Sequence, residues 1–92
     1  MIQHVVLGKS ALKKLDRLPK HIIHKLLVWV KTVEKEGLEK TWMIPGFHDE
    51  PLKGDRAGQR SIRLNRSYRA IYVVVKDRIQ FVRIEEISKH EY

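Results

Sequence analysis

The hydrophobic positions of this 92-residue chain change their spacing near its middle, from helical periodicity to strand alternation. Residues 2–7 form a short β-rich run closed by Gly8, which predicts a strand. Apolar residues then recur every three to four positions on both sides of Pro19, as they do in amphipathic helices. We expect Ser10 to cap the first helix, Pro19 to end it, and Gly37 to end the second.

The second helix, beginning near Lys20, has the clearer apolar face. The positions on this face are Ile22, Ile23, Leu26, Trp29, Val30 and Val33. Two helices with a short joint are typical of an antiparallel helical hairpin. Residues 38–50 are interrupted by Pro45 and Gly46, and we interpret them as a long connection that lays Trp42 or Phe47 over the edge of the core.

The second half of the chain has strand patterns. Apolar Ile62 and Leu64 alternate with polar neighbours, and residues 68–75 are apolar on both faces, which suits a central strand. A turn at residues 76–77 precedes a third strand at residues 78–87. The order predicts one α+β domain over residues 1–92: an N-terminal strand, a helical hairpin packed on one face of a mostly antiparallel sheet, and three hairpin-linked strands (βααβββ). The opposite face of the sheet would be polar and would carry arginine.

Composition narrows the classes of partner. Nineteen Lys and Arg against eleven Asp and Glu give a net charge of +8, which favours nucleic acid, an acidic protein or a membrane surface. The absence of cysteine excludes a disulfide framework and a thiolate metal site. The sequence has neither the pattern of a signal peptide nor an apolar run of membrane-spanning length, so we expect a cytoplasmic location.

Basic residues are concentrated between Lys53 and Arg69, where six cations accompany one acid, Asp55. Within this segment arginines recur every third residue from position 60 to position 69, a spacing that no core pattern requires. The planar guanidinium holds phosphate in two places and keeps its charge at any pH, so a phosphate-rich partner is the simplest interpretation. The candidate phosphate-binding residues are Arg56, Arg60, Arg66 and Lys89.

Four short segments resemble the RelE/HigB toxins of the RelE/ParE superfamily, from bacterial type II toxin–antitoxin systems. They are the loop LKGDRAG at residues 52–58, SIR at residues 61–63, YRAIY at residues 68–72 and the ending ISKHEY at residues 87–92. The resemblance implies an endoribonuclease that cuts messenger RNA, often in the ribosomal A site, and inhibits translation. It also implies a cognate antitoxin as partner and no metal or cofactor.

Site residues follow from the resemblance position by position. Lys53 matches a loop lysine used at the scissile phosphate, and Arg69 matches an arginine early in the second hairpin strand. His90 and Tyr92 fall where members place a histidine or tyrosine that acts as acid or base. The chain departs from the family at position 65, where HigB-like toxins often have arginine. The candidate catalytic residues are Lys53, Arg63, Arg69, His90 and Tyr92. Either Arg63 or Arg66 replaces the arginine missing at Asn65, or the role of that arginine is lost.

The chemistry of the residues agrees with this assignment. Cleavage of RNA by its own 2′-hydroxyl needs a base, an acid for the leaving 5′-oxygen, and cations for the extra charge on phosphorus. Histidine titrates near neutral pH, so His90 is a candidate for proton transfer, and Lys53 is a second candidate base. Two alternatives remain open: a ParE-like toxin that inhibits DNA gyrase without nuclease activity, and an RNA-binding module that cuts nothing.

Overall fold

The computed structural model describes residues 2–86 of the chain. In chain order its elements are β1 (His4–Leu7), α1 (Lys9–Leu15), α2 (Lys20–Glu36), α3 (Leu38–Trp42), β2 (Glu50–Pro51), β3 (Gln59–Arg63), β4 (Tyr68–Val75) and β5 (Arg78–Glu86). Two single 3-10 turns, Pro45–Phe47 and Gly54–Arg56, lie in the connections before and after β2.

The strands form one sheet in the order β1-β5-β4-β3-β2, with β4 at its centre. The neighbours β5, β4, β3 and β2 pair antiparallel, whereas β1 pairs parallel to β5. The predicted α+β class and the mostly antiparallel sheet are therefore confirmed. The strand β2 was not predicted, because two residues are too few to show any alternation; it pairs Glu50 with Ser61 and Pro51 with Arg60.

The core lies between the helices and one face of the sheet. The apolar stripe predicted for α2 is confirmed, because Ile22, Leu26, Trp29 and Val33 are all buried. The Trp29 ring lies 5.1 Å from the ring of Tyr72 and 5.3 Å from that of Phe81, so one aromatic cluster joins α2 to β4 and β5. Burying each large apolar side chain stabilises the fold by about 1.5–3 kcal/mol, so this contact fixes the helix on the sheet.

Gly37 ends α2 as predicted, with φ of 87° and its amide donating to the Val33 carbonyl at 2.8 Å. The prediction that Ser10 caps α1 is wrong, because the helix already begins at Lys9. Its cap is Gly8, whose amide donates to the Phe81 carbonyl at 2.8 Å. A Cβ at position 8 would lie 2.8 Å from the same oxygen, so the close approach of helix and strand requires glycine there.

The connection between α2 and β2 is more ordered than its pattern suggested. It contains α3 and the 3-10 turn Pro45–Phe47, and the Phe47 side chain packs into the core as expected. Trp42 remains 38% exposed at the edge of the sheet. The strand predicted for residues 78–87 is present as β5, Arg78–Glu86, and position 87 lies outside the described residues.

A β-bulge in β5 decides which side chains reach each face. Ile71 pairs with Arg83 and Tyr72 with Phe81, so Val82 is left without a partner in the ladder. Strict alternation from buried Phe81 would turn residues 83 and 85 toward the helices. The extra residue reverses that alternation, so Ile84 returns to the core while Arg83 and Glu85 lie on the opposite face, called the outer face below.

Candidate functional site

The outer face carries charged side chains in register across three strands. One row joins Ser61 of β3, Ile71 of β4 and Arg83 of β5, and the next row joins Arg63, Arg69 and Glu85. Side chains directly opposite one another on antiparallel strands have Cβ atoms about 4.5–5.5 Å apart. The register therefore brings arginines from three strands to one place.

Glu85 is bound by three arginines, and we call this group the arginine cluster. Its Oε2 accepts from Arg56 at 2.6 Å and from Arg83 at 2.9 Å, and its Oε1 accepts from Arg69 at 2.6 Å. Arg83 also donates to Gln59 Oε1 at 2.9 Å. Because the Arg56 contact comes from the 3-10 turn before β3, the cluster ties the loop to the sheet.

The electrostatics of Glu85 follow from these contacts. Burial acts to raise the pKa of the carboxyl, but the hydrogen bonds from Arg56, Arg83 and Arg69 outweigh it and lower the pKa to about 2. Glu85 therefore stays ionised across physiological pH, and three guanidinium groups around one carboxylate leave a net positive charge. The cluster can attract a further anion.

A small cavity of about 50 Å³ lies beside the arginine cluster on the outer face. It is lined by His48, Glu50, Ser61, Arg63 and Arg69. Arg69 belongs to both the cavity and the cluster, whereas Arg63 makes no ion pair with any carboxylate of residues 2–86. Two arginines placed directly opposite each other repel, and an anion in the cavity would relieve that repulsion.

Asp49 fixes the segment that enters the cavity. Its side chain is fully buried, and it accepts from Arg60 Nε at 2.8 Å and from the Tyr72 hydroxyl at 2.7 Å. Tyr72 in turn accepts from Trp42 Nε1 at 3.0 Å, and the Arg60 guanidinium lies 4.3 Å from the centre of the Trp42 ring. Burial and the Asp49 charge raise the pKa of Tyr72, so its phenol stays protonated as a donor. This network holds Asp49 in place, and Asp49 lies between His48 and Glu50, two of the residues that line the cavity.

The structure separates the candidate arginines that the sequence placed at regular intervals. Arg63 and Arg69 meet at the cavity, and Arg56 reaches the arginine cluster. Arg60 pairs across the ladder with Tyr72 and donates to Asp49, so it lies away from the cavity. Arg66 is exposed in the turn between β3 and β4.

The other candidate residues have different positions. Lys53 is exposed at the start of the 3-10 turn Gly54–Arg56 and is not among the residues lining the cavity. Asn65 accepts from the backbone amides of Ser67 and Tyr68 at 2.7 and 2.8 Å, which gives position 65 a role in the turn that arginine cannot perform. The candidates Lys89, His90 and Tyr92 lie outside the described residues.

Four polar residues of the outer face were missed by the sequence analysis: His48, Glu50, Arg83 and Glu85. The bulge in β5 places Arg83 and Glu85 on this face. Its signal in the sequence was the spacing of the apolar residues Ile79, Phe81 and Ile84, which changes from two residues to three. His48 and Glu50 gave no such signal, because a two-residue strand has no pattern.

Residues 2–86 contain neither a cluster of metal ligands nor a membrane-spanning helix. No three His, Asp or Glu side chains of this part come together as metal ligands would. None of its helices has the length and apolar character needed to cross a membrane.

Comparisons with known proteins show that solved structures of bacterial and archaeal toxins have a similar fold. No family model and no curated protein matches the chain. Among solved structures, RelE in the archaeal RelE–RelB complex from Pyrococcus horikoshii is 24% identical with a TM-score of 0.74, covering 97% of this chain and 99% of that one. The YoeB dimer from Staphylococcus aureus is 18% identical, with a TM-score of 0.72 and coverages of 96% and 100%.

A third similar structure is the YoeB/ParE toxin from Agrobacterium tumefaciens, 19% identical with a TM-score of 0.68, covering 92% of this chain and 99% of that one. The chain therefore has the fold of these RelE, YoeB and YoeB/ParE proteins, as the resemblance implied.

Proposed function

We propose that this protein is the toxin of a toxin–antitoxin pair and an endoribonuclease that cleaves messenger RNA on the ribosome, thereby inhibiting translation. The observation that carries the proposal is the outer face, where one cavity combines two opposed arginines with a carboxylate and an imidazole. The arginine cluster beside it adds two further guanidinium groups. The fold and the residue resemblance support the same class of protein.

Arg63 and Arg69 hold the scissile phosphate in this proposal. Attack by the 2′-hydroxyl places additional negative charge on the phosphate oxygens, and cations already in position stabilise it without reorganising. Arg69 is held by Glu85, so its guanidinium is oriented before RNA arrives. Arg56 and Arg83 bind Glu85 outside the cavity, where they would contact neighbouring phosphates of the RNA strand.

Proton transfer needs one group that takes the 2′-hydroxyl proton and one that donates to the 5′-oxygen. Glu50 is the carboxylate that lines the cavity and is exposed to incoming RNA, so we assign it as the base. The new bond joins the 2′-oxygen to phosphorus, the bond to the 5′-oxygen breaks, and the products are a 2′,3′-cyclic phosphate and a 5′-hydroxyl. Lys53 and the C-terminal His90 and Tyr92 remain predicted contributors.

An antitoxin is the proposed protein partner. The similar folds include toxins crystallised with their partners, YoeB with YefM and RelE with RelB. A chain of net charge +8 favours an acidic cover, because opposite potentials accelerate association and suppress wrong partners. Such a segment lying over the outer face would block RNA.

The experiment compares two reactions with the same purified protein. In a purified translation reaction we expect messenger RNA to be cut, with new 5′ ends carrying hydroxyl groups, and we expect Glu50→Gln to abolish most of the cutting. In a gyrase supercoiling reaction we expect no effect. Inhibition of gyrase with intact messenger RNA would overturn the proposal and favour the ParE-like alternative, which the similarity to the YoeB/ParE toxin supports.

A further inference from the structure

His48 has a left-handed backbone conformation, which is uncommon among residues other than glycine. It follows the 3-10 turn Pro45–Phe47 with φ of 46° and ψ of 48°, in the left-handed region. Residues other than glycine rarely adopt this conformation, and holding one there costs about 1–3 kcal/mol, which is tolerated mainly where the surroundings enforce it. Glycine would fit position 48 with less strain, and yet the chain has an imidazole there.

The contacts around His48 explain how the conformation is enforced. Its own amide donates to the Pro45 carbonyl at 3.1 Å, which closes the turn. Phe47 is buried in the core on one side, and Asp49 is held by Arg60 and Tyr72 on the other. Both neighbours of His48 are therefore fixed, and His48 itself is exposed and lines the cavity.

The cavity places His48 among groups suited to a reacting phosphate. The charged residues that line it are Glu50 from β2, Arg63 from β3 and Arg69 from β4, and Glu85 lies behind Arg69. Because the cavity is small, about 50 Å³, a phosphate bound there by the two arginines would lie close to both His48 and Glu50. Two proton-transfer groups at one phosphate are what 2′-hydroxyl attack requires.

We propose that His48 is the proton donor to the leaving 5′-oxygen, acting on the phosphate held by Arg63 and Arg69. This inference rests on the proposed nuclease function and names a residue that the resemblance does not. Glu50 takes the proton of the 2′-hydroxyl as that oxygen bonds to phosphorus, and imidazolium at position 48 gives its proton to the 5′-oxygen as the second bond breaks. The fixed backbone at position 48 keeps the ring at the cavity.

The test uses the strain to separate catalysis from structure. His48→Gly relieves the left-handed conformation, so the protein should be at least as stable to urea as the parent. We expect its rate of messenger RNA cleavage on programmed ribosomes to fall by about 10²–10⁴, the usual effect of losing an acid or base. Binding of the same messenger RNA in fully 2′-O-methylated form, which cannot be cut, should stay within about twofold of the parent.

Further measurements decide the role of the ring. The pH profile of the parent's cleavage rate should contain a limb that is absent from the profile of His48→Gly. Added imidazole should restore part of the activity of His48→Gly, and His48→Asn, which also tolerates the left-handed region, should be as inactive.

Two outcomes count against different claims. A His48→Gly protein that cuts at the parent's rate with the parent's pH profile would overturn the role of His48. The same conclusion would follow if His48→Gly kept the parent's pH dependence and His90→Gln lost it. A parent protein that cuts no RNA under any of these conditions would overturn the proposed nuclease function itself.

Discussion

Glu85 offers a test of the electrostatic reasoning that is independent of RNA. Glu85→Gln keeps the shape of the side chain but removes the charge that Arg56, Arg69 and Arg83 share. A pKa of about 2 in place of the usual 4.5 corresponds to about 3 kcal/mol of stabilisation, because one pKa unit is worth about 1.36 kcal/mol. The side chain is 25% exposed, so we expect solvent to reduce the loss in free energy of unfolding to about 2–3 kcal/mol at pH 7.

The pH dependence fixes the sign of this effect. The pKa is lower in the folded state, so the carboxylate contributes fully above the unfolded value of 4.5, and the contribution disappears as the pH falls through about 2. Urea unfolding of the parent and Glu85→Gln should therefore differ most at neutral pH and converge between pH 4 and pH 2. Thermal unfolding at pH 7 should show a decrease in Tm of about 10 °C or more, since about 4–8 °C corresponds to 1 kcal/mol in a domain of this size.

A matched control is available at the next position. Glu86 is exposed at the end of β5, so Glu86→Gln should change the free energy of unfolding by less than about 0.5 kcal/mol. An equal loss in the two variants, or a Glu85→Gln loss that stays the same from pH 7 to pH 2, would refute the assignment of the stabilisation to the arginine cluster.

Three further predictions address the remaining parts of the site. Arg69→Ala should weaken binding of 2′-O-methylated RNA and reduce the slope of affinity against salt by about one phosphate contact, and an unchanged slope would contradict phosphate binding by Arg69. Lys53→Ala should lower that slope as well if the lysine binds phosphate, whereas a lower cleavage rate with an unchanged slope would assign it to proton transfer. Asp49→Asn should decrease the free energy of unfolding by about 1–3 kcal/mol, because its amide cannot accept from both Arg60 and Tyr72 as the two carboxylate oxygens do, while exposed Asp55→Asn should have little effect in the same urea titration.

Local pattern was sufficient for most of the fold. The apolar stripe of α2, its end at Gly37 and the strands β3, β4 and β5 were all predicted, because each depends on the spacing of neighbouring residues along one element. The α+β arrangement followed from them, since amphipathic elements must cover one another. The arginine-rich outer face was also predicted, and Arg63 and Arg69 were named among its residues.

The partners of the charged groups were decided by tertiary structure alone. Arg60 was grouped with Arg63 from its spacing, but the alternation of β3 sends it to Tyr72 and Asp49, away from the cavity. The bulge at Val82 turns Glu85 onto the outer face. There Glu85 binds Arg56, which lies 29 residues away in the chain, and Arg69 on the neighbouring strand β4. Such contacts depend on the register between strands, which one strand's own sequence does not contain. For this protein the sequence determined the elements and the excess of positive charge, and the pairing of strands determined which charges meet at the site.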